Sequence, residues 1–434
     1  MQLSPEQQLA FEKYKRGQNV FISGPAGTGK STLIKSIYED AESRNINIHV
    51  TALTGCAAII LEKCKSKTLH SWAGIGLGNS DVEVTLSKIE KNYFKKKSWI
   101  QTRILIVDEI SMLSKKLFDM LYYIGCNIRN NPRPFGGIQL IFLGDFYQLA
   151  PVGRGENEDS GKFCFESAMW YKTFNIENHI ILKKIFRQTD EEFQYILNHV
   201  RTQTMNENSV NILKNLVGKP IPEGKIVTKI FPTKKIVEVI NTKELDKLDC
   251  EEEYEFQMKK VNNLNHSNQS SVKWSNEQID FEINYLKTNI LCDENIILKV
   301  GCYVMCIINY SENIVNGSCG IVLGFDAILN YPRVRFNNGV EMLIPFHFWE
   351  SELIPGVGIS QIPLILSWSV TIHKIQGATL DEAEIDIGSS IFTSGQSYVA
   401  LSRIKTLNGL YLRGFDENKI KSNPKVAEFY SQFY

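Results

Sequence analysis

The sequence predicts an α/β fold, and three observations carry that expectation. An apolar run, Val20 to Ile22, leads through a glycine-rich turn into a helical pattern that begins Thr32-Leu33-Ile34. Further apolar runs at 46–50, 103–107, 138–143 and 363–370 read as buried strands, and polar residues follow their ends. At 434 residues the chain is too long for one core, so two or three domains are expected.

Composition fits a globular enzyme, with 43% hydrophobic and 22% charged residues, which excludes global disorder. A formal net charge of zero excludes a chain coated in positive charge but leaves room for a local basic groove. The nine cysteines (56, 64, 126, 164, 250, 292, 302, 306 and 319) contain no C-x-x-C pair, so buried thiols in a reducing compartment are expected rather than zinc. Met-Gln-Leu-Ser-Pro-Glu is not a basic-then-apolar leader, and no apolar run reaches membrane-spanning length. A soluble intracellular chain is expected, with nuclear, mitochondrial, bacterial and viral settings all open.

The first element is a helix over 3–16. Ser4 is placed as N-cap, Pro5 at the first helical position and Gln7 at capping-box spacing. Gln7 has two readings, helix capping or an amide that reads the adenine edge.

Next comes Gly24-Pro25-Ala26-Gly27-Thr28-Gly29-Lys30-Ser31, the spacing G-x-x-x-x-G-K-S between strand and helix. The glycines let successive N–H groups turn inward as an anion nest at a helix N-terminus. Lys30 suits β and γ phosphates, the Ser31 hydroxyl suits Mg²⁺, and Thr32 opens the helix. This predicts binding of a nucleoside triphosphate.

The strand at 46–50 runs into Thr51-Ala52-Leu53-Thr54-Gly55, small and hydroxylated residues at a sheet edge where ligands bind. They suit either a nucleic-acid backbone lying across the edge or simple helix–sheet packing. Thr68 to Gly78 mixes hydroxyls, His70, Trp72 and glycines. Trp72 is readable as a stacking ring or as core. Residues 79–101 are polar, and Lys95-Lys96-Lys97 is either a solvated face or part of an insert beside a DNA path.

The strand 103–107 ends in Asp108-Glu109, which suit a metal ligand and a general base for the attacking water. The strand 138–143 ends Gly144-Asp145-Phe146-Tyr147-Gln148, where Gln148 suits contact with both the γ-phosphate and the water. Arg187 suits transition-state charge. The pattern weakens over 190–290, and 246–295 is expected to hold a mobile or inserted segment. Residues 298–349 show short alternating runs split by Asn-Gly at 316–317 and 338–339, which predicts a small β-barrel-like module. After the strand 363–370 come Thr371, His373 and Gly377, then a helix that carries Arg403 one turn beyond Val399.

Seven of these stretches, collinear over nearly the whole chain, resemble the superfamily 1 DNA helicases, specifically the PIF-type, RecD-like branch. They are Gly24–Ser31, Thr68–Gly78, Val107–Met112, Gly144–Pro151, Phe186–Gln188, His373–Leu380 and Gln396–Arg403. The resemblance is to the motor core, without the long terminal extensions of many cellular members. It implies two RecA-like P-loop NTPase lobes, the first at 1–180 with a small wedge-type insert near 79–101. The second is implied at 181–245 and 356–434, with an inserted module at 246–355 that holds an SH3-like β insert.

The resemblance also implies ATP and Mg²⁺ as cofactors. Gln7 would read adenine, Lys30 and Ser31 would bind phosphate and metal, and Asp108 and Glu109 would be metal ligand and base. Gln148 would be the γ-phosphate sensor, Arg187 and Arg403 two arginine fingers, and Gly377 part of the loop coupling nucleotide to DNA. Thr51, Thr54, His70, Thr371 and His373 would lie along the single-strand path, with Trp72 in the same stretch as His70. The implied partners are single-stranded DNA and single-strand/duplex junctions, with replication or repair proteins, no membrane and a monomeric state. The implied activity is ATP-driven 5′-to-3′ translocation and duplex separation. The competing readings are a single-strand translocase that unwinds poorly and a nucleotide-switched recombination mediator.

Overall fold

The computed structural model describes residues 3–433 apart from 77, 79, 154–157, 251, 264–273, 312 and 352–353, and omits the side chains of 56, 59, 62, 288 and 289. Parts of several expectations therefore lie outside the described residues: Leu77 of the Thr68–Gly78 stretch, Asn79 of the insert, 251 and 264–273 of the segment 246–295, 312 and 352–353 of the inserted module, and the Cys56 thiol. Contacts divide the chain into two units, residues 1–218 with 387–434 and residues 219–386. Residues 181–218 and 387–434 thus pack with the first unit, where the sequence reading grouped them with a second lobe.

The first unit is built on a parallel sheet of β1 (Val20–Ser23), β2 (Ile48–Ala52), β3 (Lys67–Thr68), β4 (Ile104–Asp108), β5 (Gln139–Gly144) and β6 (His179–Ile181). Among the described residues the strand order is β3-β2-β4-β5-β1-β6. Alternation along the strands feeds two apolar layers. Val20, Ile22, Ile104, Ile106, Ile141 and Leu143 face the helices α1 (Pro5–Lys15) and α2 (Lys30–Ser43). Phe21, Leu105, Val107, Leu140 and Phe142 face the helix Lys115–Ile128, the indoles of Trp72, Trp99 and Trp170, and Val426, Phe429 and Tyr430 of the helix Pro424–Ser431.

Helix α1 starts as its sequence dictates. The Ser4 side chain accepts the Gln7 N–H, and Gln7 Oε1 accepts the Ser4 N–H at 2.8 Å, closing the capping box. Ala10 and Tyr14 are buried, while Leu9 is exposed. The insert forms two helices, Val82–Lys91 and Tyr93–Gln101. Trp99 anchors it, buried and donating Nε1–H to the Ala73 carbonyl at 3.0 Å. Lys95 is drawn inward, its ammonium 2.7 Å from the Ser71 carbonyl, so the basic run is only partly a solvated face.

In the second unit an antiparallel sheet runs in the order Glu341–Leu343, Pro332–Phe336, Cys319–Phe325, Tyr303–Cys306, Leu364–Leu366. The two Asn-Gly signals fall at turns, with Gly317 and Gly339 at positive φ of 98° and 84°. Thr228–Phe231 pairs in parallel with Ser369–Thr371 and Ala383–Ile387. The run expected as one strand over 363–370 is two short strands in different sheets, with Ser367 buried where the chain crosses over. The weakly patterned region 190–290 contains helices Glu191–Thr202, Glu207–Asn215, Lys234–Asp246 and Asn276–Asn289. No described helix is long and apolar enough to cross a membrane.

Candidate nucleotide site and nucleic-acid path

Register brings the expected nucleotide residues to one sheet edge. Ser23 pairs with Gly144 and Ala52 with Asp108, so the phosphate-binding loop, the acidic pair and the Asp145–Gln148 segment all leave the sheet at its C-terminal edge. Within the loop, Gly27 and Gly29 hold positive φ of 81° and 78°. A Cβ at Gly24 would stand 2.8 Å from the Leu182 carbonyl oxygen, so close backbone approach demands glycine there.

Each predicted nucleotide residue has a definite place. Lys30 folds over its own loop, donating to the carbonyls of Gly24 and Pro25 at 2.8 and 3.0 Å. Burial lowers its pKa, against the opposing pull of Asp145, Glu109 and Asp108. Thr28 is buried and donates its hydroxyl to the Pro25 carbonyl at 2.9 Å, while Ser31 and Thr32 are half-buried on the first turn of α2. Gln7 donates Nε2–H to the carbonyls of Thr28 and Gly29 at 3.2 and 3.1 Å, so its amide serves both the cap and the loop. Ala26 donates its N–H to the hydroxyl of Tyr398 at 2.9 Å.

Asp108 is buried and its carboxyl pKa is pushed up to about 7, first by burial and then by Glu109. One of its oxygens accepts the Glu109 N–H at 2.9 Å. Glu109 sits in the left-handed region at φ 54°, a strained setting for a side-chain-bearing residue. Glu109 Oε2 and Gln148 Oε1 are buried without a hydrogen-bond partner. Buried acceptors of this kind are costly unless a ligand, water or ion completes them. The Ser31 hydroxyl and the Asp108 carboxyl, which lie at or beyond the ends of strands that leave the sheet at the same edge, are oxygen donors of the kind that suit Mg²⁺.

Both arginines pack in the same unit. Arg187 donates to the Ser402 carbonyl at 3.0 Å. Arg403 is buried, bonded to the Val399 carbonyl and the Ser402 hydroxyl, each at 2.9 Å. Burial, followed by repulsion from Arg187, lowers its pKa to about 9. Cations held at such a cost suit an anion of high charge.

Five further residues of this site carry no role in the sequence reading. Asp145 and Arg201 form a buried ion pair, Tyr398 and Tyr430 reach the loop region through their hydroxyls, and Gln188 donates Nε2–H to the carbonyls of Ser402 and Ile404. Signals for two of them existed. Arg201 falls at apolar-face spacing from Leu197 on an amphipathic helix, and Val426, Phe429 and Tyr430 follow the i, i+3, i+4 rule.

The residues expected along a nucleic-acid strand are less uniform. Thr51 is buried and donates its hydroxyl to the Ile106 carbonyl at 2.7 Å, while Thr54 Oγ1 accepts the Ala57 N–H at 3.2 Å. His70 is half-buried on the short helix Leu69–Ala73. Trp72 is 1% exposed, with its ring 4.5 Å from that of Trp99. Of its two readings, burial of the ring against Trp99 favours the core one. In the second unit Thr371 is buried, His373 is exposed and Gly377 holds φ 84°. A cavity of about 300 Å³ there is lined by Thr371, Lys374, Lys234 and Asn241 among others.

A parallel sheet with its phosphate-binding loop, acidic pair and Gln148 at one edge, and two arginines in the same unit, defines a P-loop NTPase. A family model for PIF1-like helicases matches residues 2–213. The chain is 35% identical to the ATP-dependent DNA helicase PIF1 of Xenopus laevis, over all of this chain and 64% of that protein. It is similar to the crystal structure of Pif1 helicase from Candida albicans, with TM-score 0.79 and 34% identity over 100% of both chains. It is also similar to the Bacteroides Pif1 helicase in complex with ADP-AlF3 and single-stranded DNA, with TM-score 0.67 and 28% identity over 100% of this chain and 98% of that one. The chain belongs to the PIF1-like helicase family. It spans less than two thirds of the length of the Xenopus relative.

Proposed function

We propose that this chain is an ATP-dependent DNA helicase that translocates 5′-to-3′ on single-stranded DNA and separates duplex DNA. The observation that carries the reading is the pair of orphaned buried acceptors, Glu109 Oε2 and Gln148 Oε1, on the edge that also holds the phosphate-binding loop. A site built to bind nucleotide without hydrolysing it has no use for a strained glutamate with a buried, unpartnered oxygen on the sheet edge that also carries an unpartnered glutamine amide. The relative named ATP-dependent DNA helicase and the neighbour bound to ADP-AlF3 and single-stranded DNA support the same reading.

In this proposal Lys30 and the loop amides bind the phosphates, Gln7 reads adenine, and Glu109 takes the proton of the attacking water. Gln148 senses the γ-phosphate, and Arg187 and Arg403 stabilise transition-state charge. Ser31 and Asp108 would hold Mg²⁺, which would supply charge neutralisation to the phosphates. Thr54, His70, Thr371 and His373 lie along the strand, with Thr51 beneath it, and Gly377 lies in the coupling loop. The lobes are those implied by the resemblance, and closure of one on the other couples hydrolysis to stepping. Residues 79–101 act as the wedge, and the antiparallel sheet of the second unit belongs to the SH3-like insert. Replication or repair proteins are the expected partners of a monomeric motor.

The test is ATP-dependent strand separation on partial duplexes with a 5′ or a 3′ single-stranded tail, with Lys30→Ala as control. Unwinding of the 5′-tailed substrate alone, lost in the variant, is the expected result. A 3′ preference overturns the polarity. DNA-stimulated hydrolysis without unwinding reduces the function to translocation, and hydrolysis indifferent to DNA overturns the motor.

A further inference from the structure

We propose that Tyr430 is a positioning residue of the nucleotide site, holding the segment that carries Gln148 in register with the strand that feeds the phosphate-binding loop. The proposal rests on the ATPase reading above.

Tyr430 lies on the helix Pro424–Ser431 and is 1% exposed. Its hydroxyl accepts the Phe146 N–H at 3.2 Å and shares a hydrogen bond of 2.5 Å with the Ser23 hydroxyl. Ser23 is the last residue of β1, directly before Gly24, and Phe146 stands two residues before Gln148. The β1–β5 ladder ends at the pair Ser23–Gly144. Beyond that pair the strands part, one into the phosphate-binding loop and the other into the sensor segment. One phenol hydroxyl therefore links the two strand ends just where the ladder stops.

The ring does a second job. It stacks on Tyr147 with centroids 5.1 Å apart and planes 11° from parallel. The Arg201 guanidinium lies 4.5 Å from the Tyr147 centroid and 5.6 Å from that of Tyr430 while forking onto Asp145. Asp145, Phe146 and Tyr147 are thus each held by a different contact, and the next residue is Gln148. Val426 and Phe429 seat the same helix in the apolar layer beneath the sheet. Removing the hydroxyl leaves the ring in place and strips the Phe146 N–H and the Ser23 hydroxyl of a shared buried partner. The sensor amide then loses its fixed approach, while the phosphate-binding loop keeps its own backbone geometry.

The experiment is steady-state ATP hydrolysis by the full chain with saturating oligothymidylate, comparing wild type, Tyr430→Phe, Gln148→Ala and the double variant. Tyr430→Phe is expected to lower kcat roughly 5- to 20-fold with KM for ATP within about twofold. The thermal midpoint is expected to fall by only a few degrees, since the ring stays packed. The double variant is expected to be no slower than Gln148→Ala alone, because the hydroxyl acts through that amide. If Tyr430→Phe does not fold, Ser23→Ala removes the same bridge from the other side and carries the same cycle. An unchanged kcat, a loss confined to KM, or losses that multiply in the double variant overturns the proposal. A wild-type chain that hydrolyses no ATP overturns the ATPase reading and this proposal with it.

Discussion

Arg201 grips Asp145 through two parallel hydrogen bonds, Nε to Oδ2 at 2.9 Å and Nη2 to Oδ1 at 2.8 Å, with both side chains buried. Burial alone would pull the arginine pKa down, but Asp145 outweighs it and the net shift is upward. Such a pair is fragile when halved. Arg201→Met strands a buried carboxylate and is expected to cost about 3–5 kcal/mol in urea unfolding. Asp145→Asn in the same chain, which removes the stranded charge, should recover much of that loss. If the single change costs under about 1 kcal/mol, the ion pair is not holding the segment.

His49, on β2, supplies a pH dependence. Burial, followed by the Lys67 charge, pushes its pKa down to about 4 from 6.5. The unfolded chain therefore takes up a proton below about pH 6.5 that the native chain refuses until about pH 4. The contribution is intact above pH 6.5 and is lost as pH falls through that window. His49→Leu should remove about 2 kcal/mol of the stability lost between pH 7 and pH 5. Wild type and variant losing stability in parallel over that range would refute it.

Trp72 sits in the stretch expected along a DNA path, yet it packs against Trp99. Trp72→Leu should lower stability by about 2–4 kcal/mol while leaving single-strand affinity within about twofold at a temperature where the variant is folded. A tenfold loss of affinity with little loss of stability would return the ring to the nucleic-acid path.

Gly395 caps the helix Gln396–Leu401 at φ 81°, and a Cβ there would lie 2.4 Å from the Gln148 carbonyl oxygen. Backbone cannot yield as a side chain does. Gly395→Ala is expected to cost roughly 1–3 kcal/mol and to slow ATP turnover more than it weakens ATP binding. Equal effects on kcat and binding would place the disturbance elsewhere.

Glu109→Gln keeps the shape of the side chain and removes the carboxylate proposed as the base. Hydrolysis should fall roughly 10²- to 10⁴-fold with nucleotide affinity retained, checked by single-turnover kinetics against equilibrium binding. Retention of full turnover would remove Glu109 from the chemistry.

What the sequence disclosed is what is local. The capping box at Ser4 and Gln7, the phosphate-binding loop, the strand ending in Asp108-Glu109 and the Asn-Gly turns each depend on a few adjacent residues, and each was legible. The crossover within 363–370 was not, because a continuous apolar run does not say that its halves join different sheets. The helix Lys234–Asp246 escaped because Val237 alone of its side chains is buried, whereas the helix Glu191–Thr202 carries a full stripe, Phe193, Ile196, Leu197 and Val200, that the sequence did offer. Arg201, Tyr398 and Tyr430 escaped because their meaning lies in partners 56, 372 and 407 or 284 positions away. Sequence spacing shows which face such a side chain takes, not whom it meets.

The seating of Phe429 and Tyr430 beneath a sheet whose first strand begins at Val20 also sets a timetable. During synthesis the strands β1 to β6 are complete more than 200 residues before that helix is made. Until then Phe146, Phe165 and Trp170 lack one wall, and the half-built layer is a greasy surface for chaperones or for other nascent chains. Maturation of the nucleotide site is thus tied to translation running past the helix Pro424–Ser431, so products interrupted before it would carry the phosphate-binding loop without its finished surroundings.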